Sequence, residues 1–139
     1  MRIELKRIDD AFNMEAVSED GNKALMDAGP NIGGKGNGVR PMQMLIMGLG
    51  GCSAIDVVMI LKKQKQEIKD FKITIDAERE QGKEPALWTK AHLVFLITGA
   101  VELDKAQRAV DLSMEKYCSV SETLKRAGTA ITYEVKVNQ

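Results

Sequence analysis

Two cysteines carry most of the chemistry this sequence can offer. Cys52 stands in PMQMLIMGLGGCSAIDVVMILKK, residues 41–63, directly after Gly50 and Gly51, and Cys118 stands in KYCSVSETL. A thiolate is a nucleophile and the first rung of an oxidation series that runs through sulfenic acid to a disulfide. Asp56 follows Cys52 by four residues, so on a helix the two share a face. A carboxylate beside a thiol disfavours the thiolate unless a cation intervenes. Cys118 precedes Ser119, which with Glu122 three residues on forms a capping-box signature. That spacing puts Cys118 at a helix N-terminus, where the positive end of the helix dipole favours thiolate, with Lys116 close by. Each cysteine also has a plainer reading, Cys52 as an inert buried residue and Cys118 as a small apolar filler at a helix corner.

The elements that must hold these residues are legible from periodicity. MRIELKRI alternates as a half-buried strand, and Asp20-Gly21 within SEDGNK marks a hairpin between two further strands. GPNIGGKGNGVR, residues 29–40, has no apolar period and reads as a mobile loop. Pro41 suits the first turn of a helix, which is expected to run to about Glu67. Gly48, Gly50 and Gly51 each cost about 1 kcal/mol relative to alanine in a helix interior. Their smallness serves either close packing or access to the Cys52 sulfur. FKITIDAERE and LWTKAHLVFLITG read as neighbouring strands. ELDKAQRAVDLSMEKY has helical spacing at Leu103, Ala106, Val110 and Met114, and a shorter helix follows that Gly128 closes. TAITYEVKV alternates as a last strand. The order is βββ-α-ββ-α-α-β, an α+β chain expected to form a single domain over residues 1–139.

Composition narrows the function classes. Basic and acidic residues balance at 20 each, and three Phe, two Tyr and one Trp give no stacking platform, so nucleic acid is not an expected partner. The N-terminal segment lacks the apolar core of a signal peptide, which points to the cytoplasm. Residues 42–61 are nearly apolar enough to span a bilayer, but Gln43, Ser53 and Asp56 interrupt them. An Asp near the bilayer centre costs roughly 3 kcal/mol on insertion scales, so a buried helix of a soluble protein is expected and no membrane. Covering a helix that is apolar nearly all round calls for a second helix pair or a second copy of the chain, and a homodimer is the simpler solution. With one histidine, His92, and two distant cysteines, neither a metal site nor a cofactor is expected. His92 reads as a surface or interface residue, and Glu78, Glu80 and Glu84 as a solvated charge run. The glycine-rich loop lacks the GKS or GKT ending of a phosphate loop.

PMQMLIMGLGGCSAIDVV and KYCSVSETL together resemble the OsmC/Ohr family of osmotically inducible and organic-hydroperoxide-resistance proteins, in its OsmC-like branch of unassigned role. The resemblance covers essentially the whole chain. It implies an intertwined homodimer whose sheets wrap central helices, and a thiol-dependent peroxidase acting on organic hydroperoxides. Cys52 would then be the thiolate that attacks the O–O bond, and Cys118 the thiol that closes a Cys52–Cys118 disulfide for an external dithiol to reduce. The family's peroxidases carry a glutamate shortly after the helix-opening proline, paired with an arginine that polarises the peroxide. Met42 and Gln43 occupy the corresponding positions here, and Arg7 and Arg40 are the candidates for the arginine; Arg40 also reads as a surface residue at the helix start. An ordinary thiol has a pKa of about 8.5, so without a cation it stays largely protonated near neutrality. The alternative reading is a catalytically weak dimer that binds a small molecule or lipid.

Overall fold

The computed structural model describes all 139 residues and divides the chain into two compact units, Met1–Leu45 and Ile46–Gln139. The first unit contains a meander of three short antiparallel strands, β1 (Glu4–Arg7), β2 (Met14–Val17) and β3 (Lys23–Met26). The β2–β3 turn is the expected one: Ser18 N–H donates to Asn22 O, and Gly21 takes φ +85°, which a residue with a Cβ adopts at a cost. No apolar side chain of this unit is fully buried. Its two buried residues are Asn13 and Asp27.

Those two polar residues organise the glycine-rich segment, which is the loop expected. Asp27 accepts N–H bonds from Ala28 and Asn37, while the Asn13 amide donates to the carbonyls of Met26 and Asn37. The Asn37 N–H is the main reason the Asp27 carboxyl lies below the ordinary carboxylate range. A short 3₁₀ turn at Pro30–Ile32 and a bridge between Met26 and Val39 complete the segment. Its sequence lacks apolar period because side-chain hydrogen bonds to backbone, not a buried face, hold it.

Helix α1 spans Pro41–Lys63. Pro41 begins it as expected, and Gln43 accepts the backbone N–H of Arg40 at 3.0 Å, one half of a capping box. The helix ends before Glu67 because Lys65 turns left-handed, at φ +57°. Gln66 N–H then reaches Leu61 O and Lys65 N–H reaches Lys62 O, the paired bonds of a Schellman closure. The run KKQKQE contains no glycine to announce that stop.

The second unit is built on the sheet β4 (Glu67–Arg79), β5 (Trp88–Ala100) and β6 (Ala130–Asn138), in that order, β4 antiparallel and β6 parallel to β5. Parallel pairing needs a crossover. It is supplied by α2 (Leu103–Leu112), a π turn at Ser113–Tyr117 and α3 (Ser119–Arg126). Ala91, Leu93, Phe95 and Ile97, alternate residues of β5, are buried in one core with Leu49, Val57 and Leu61 of α1 and Ala106, Ala109 and Val110 of α2. Leu103, expected on the buried stripe of α2, is exposed because it lies in the first helical turn.

Candidate active site at the cysteine pair

Cys52 is placed by the ridge of α1 that faces the core. Leu49, Ser53, Val57 and Leu61, four apart throughout, are fully buried, and Cys52 lies beside this ridge, half-buried. The neighbouring glycines divide in purpose. A Cβ on Gly50 would stand 3.1 Å from Ile75 Cδ1, so its smallness lets β4 approach. A Cβ on Gly48 or Gly51 would meet nothing within 4 Å, which leaves the flank of Cys52 bare. Ser53 needs no partner from elsewhere, because its hydroxyl donates to the Leu49 carbonyl one turn back.

Cys118 is placed by the irregular end of α2. The π turn closes with Cys118 N–H donating to Ser113 O at 2.7 Å, a five-residue bond. The chain then becomes extended at Cys118, which is itself the N-cap of α3: its Sγ accepts the Ser121 N–H at 3.4 Å. The cap is therefore one residue earlier than the Ser119 expected, since the extra residue of the π turn shifts the start of the helix. Gly128 ends α3 as expected, with φ +105° and Thr129 N–H bonded to Leu124 O.

The two approaches converge. Cys52 Sγ, Cys118 Sγ and an Asp56 carboxylate oxygen all lie within 4.8 Å of one another. Both thiols are free, Cys118 with only 3 % of its surface exposed. Asp56 shares the Cys52 face, as the four-residue spacing requires, and accepts the Ser113 hydroxyl at 2.9 Å. Burial pushes the Cys118 thiol above its ordinary pKa; the Ser121 N–H opposes this, and Cys52 adds to it. None of the groups that act most strongly on Cys118 is a cation.

Ser113 is the member that sequence reasoning missed. The available signal was a hydroxyl on an apolar stripe, since Ser113 follows Ala106, Ala109 and Val110 at helical spacing and is fully buried with them. Ser53 and Ser121 are the matching buried serines of α1 and α3, and the Ser121 hydroxyl has no hydrogen-bond partner. Arg40 belongs to the first unit, where its Nε would stand 3.2 Å from a Cβ on Gly29. His92 is on β5, part-exposed, bonded to Thr132 at 2.7 Å and Glu134 at 3.2 Å.

Residues 34–134 match the family profile described as OsmC-like protein. The chain belongs to the OsmC-like family. Protein YhfA of Escherichia coli K12 is 45% identical to it over 121 residues, 86% of each chain. Among solved structures, a hypothetical protein from Aquifex aeolicus VF5 is 32% identical with a TM-score of 0.80, covering 99% of this chain and 97% of that one. The organic hydroperoxide resistance protein OhrB of Bacillus subtilis has a TM-score of 0.61 at 22% identity, covering 97% and 96%, a likeness of fold alone. The α+β order read from the sequence is thus that of OsmC-like structures. In that setting α1, although 23 residues long and apolar enough to cross a membrane, is compatible with a soluble protein.

Proposed function

We propose that this OsmC-like protein is a thiol-dependent peroxidase that reduces organic hydroperoxides. The observation that carries the reading is the convergence of two free sulfurs and one carboxylate within 4.8 Å. Exposure separates the roles. Cys52, half-buried and flanked by bare glycines, can meet a substrate, whereas Cys118 can meet little besides Cys52. The Cys52 thiol gives its proton to Asp56, and the sulfur attacks the outer peroxide oxygen. The O–O bond breaks, the alkoxide takes a proton to leave as an alcohol, and Cys52 becomes a sulfenic acid. Cys118 sulfur then displaces hydroxide from Cys52, releasing water and forming the disulfide. The disulfide requires the two sulfurs to close from within 4.8 Å to about 2.05 Å. An external dithiol restores both thiols and is itself oxidised. That dithiol attacks the half-buried Cys52 sulfur of the disulfide and releases Cys118, which is nearly closed off.

This reading adds a base, Asp56, to the cation that the family's peroxidases employ. Arg40 remains the candidate for polarising the peroxide, and exchange for Met tests it by loss of rate. The cytoplasm, whose reducing poise keeps such thiols free, is the compartment the cycle suits. The test is intact mass with peptide mapping after brief exposure of reduced protein to an organic hydroperoxide. Loss of two hydrogens mapped to Cys52–Cys118 is expected, and Cys52→Ser should consume no peroxide. Undiminished consumption by that variant would end the proposal. One observation favours a second reading, a weakly catalytic dimer that binds a small molecule or lipid: Gln43, where the family's glutamate is expected, caps α1 instead. A ligand retained through native mass spectrometry, with unreactive thiols, would select it.

A further inference from the structure

We infer that reduced Cys52, Asp56 and Cys118 together form a binding site for a divalent ion of the zinc class, with a fourth position left to water. The inference does not rest on the peroxidase reading, since it requires only the reduced pair. The spacing of the cysteines argued against a metal because close sequence pairs are what usually signal one. Here the ligands come instead from α1 and from the junction of the π turn with α3.

The donor set selects the ion. Two thiolates exclude magnesium and calcium, which take oxygen, and a carboxylate beside them favours a borderline divalent ion over copper(I). The geometry is near what such an ion needs. Zn–S bonds of about 2.3 Å and Zn–O bonds of about 2.0 Å set tetrahedral edges of roughly 3.8 Å between sulfurs and 3.5 Å between sulfur and oxygen. Atoms now within 4.8 Å must close by little more than ~1 Å, the range of a small side-chain rotation. Three protein ligands with one open position are the pattern of reactive rather than purely structural zinc sites.

The surroundings supply what a metal's ligands require. The Ser113 hydroxyl bonds to Asp56 Oδ2 at 2.9 Å and fixes the carboxylate while leaving it further lone pairs for a metal. Cys118 is held on both sides, by its N–H to Ser113 O and by the Ser121 N–H on its sulfur.

Cobalt(II) titration of the reduced chain under anaerobic conditions tests this. One ion per chain is expected, with an intense near-ultraviolet thiolate-to-cobalt band and the visible bands of a tetrahedral ion, both bleached by zinc. Cys118→Ser should lose much of the charge-transfer band. Ser113→Ala, which keeps every ligand, should weaken binding by roughly 10–100-fold. No band in the reduced wild-type protein, or a band of full intensity in folded Cys118→Ser, would overturn the site. Because binding is read without turnover, a protein that binds cobalt but consumes no peroxide, or the converse, separates this inference from the peroxidase proposal.

Discussion

At the scale of single residues, Asp56 is the test of how this site differs from a cation-assisted one. Its carboxylate lies within 4.8 Å of both sulfurs and is held by Ser113, so in the proposed cycle it is the group placed to take a proton from Cys52. General-base assistance contributes typically 10²–10⁴-fold, so Asp56→Asn should lower the rate of peroxide consumption by about 10²-fold or more. Cys118 should still react with Cys52 once a sulfenic acid exists. Stopped-flow measurement of the first oxidation step, apart from disulfide closure, checks this. An Asp56→Asn variant oxidised as fast as wild type would show that the carboxylate only orients or only binds metal. The adjacency of Cys52 and Asp56 was legible from their spacing, because four residues on a helix always share a face. The arrival of Cys118 was not, because it depends on how α2 returns along the sheet. Its extra π-turn residue leaves no mark in the periodicity that Ser119 and Glu122 imitate.

At the scale of elements, stops were harder to read than starts. Pro41, Asp20-Gly21 and Gly128 are residues whose backbone chemistry favours one conformation, and each marks the turn or boundary expected of it. Lys65 does not. It takes a left-handed conformation that costs an L residue about 1 kcal/mol, and α1 ends there because the Schellman bonds to Leu61 and Lys62 hold it. Lys65→Gly should relieve that strain, less the extra freedom glycine gains in the unfolded chain, and raise the melting temperature by a few degrees. Calorimetry decides it, and a lower melting temperature would mean that the lysine side chain contributes more than its backbone costs. A second junction titrates. The Tyr133 hydroxyl of β6 donates to Asp111 at 2.8 Å and to Glu115 at 3.2 Å, tying the strand to α2 and the π turn. Burial, then the Asp111 carboxylate, raise its pKa well above the ordinary tyrosine value. A folded pKa above the unfolded one stabilises fully below about pH 10, the unfolded value, and the contribution is lost as pH rises toward the folded value. Tyr133→Phe should therefore flatten the alkaline fall in stability, measured as denaturation midpoint against pH. An unchanged slope would remove Tyr133 from that role.

At the scale of the whole molecule, the surfaces left uncovered argue for a second copy of the chain. Met47, Ile55 and Met59 of α1 are 51, 71 and 46 % exposed, a stripe of large apolar side chains on the helix that carries Cys52. The first unit exposes Ile3, Leu5 and Leu25 and fully buries no apolar residue, and a three-stranded sheet needs a packed hydrophobic face for stability. A stripe that continues along an apolar core helix is the kind of surface an obligate partner covers, and an identical chain brings an identical stripe. We propose a homodimer that joins along α1. Sedimentation equilibrium of the wild-type protein should give about twice the 15.3 kDa chain mass, independent of dilution through the micromolar range. Ile55→Lys places an amine at the most exposed apolar position of the stripe. Desolvating that charge against the partner's apolar face costs several kcal/mol, so the variant should dissociate to monomer at concentrations where wild type stays paired. A wild-type protein that sediments as a monomer would leave this stripe without its second chain and would require another occupant for the face beside Cys52.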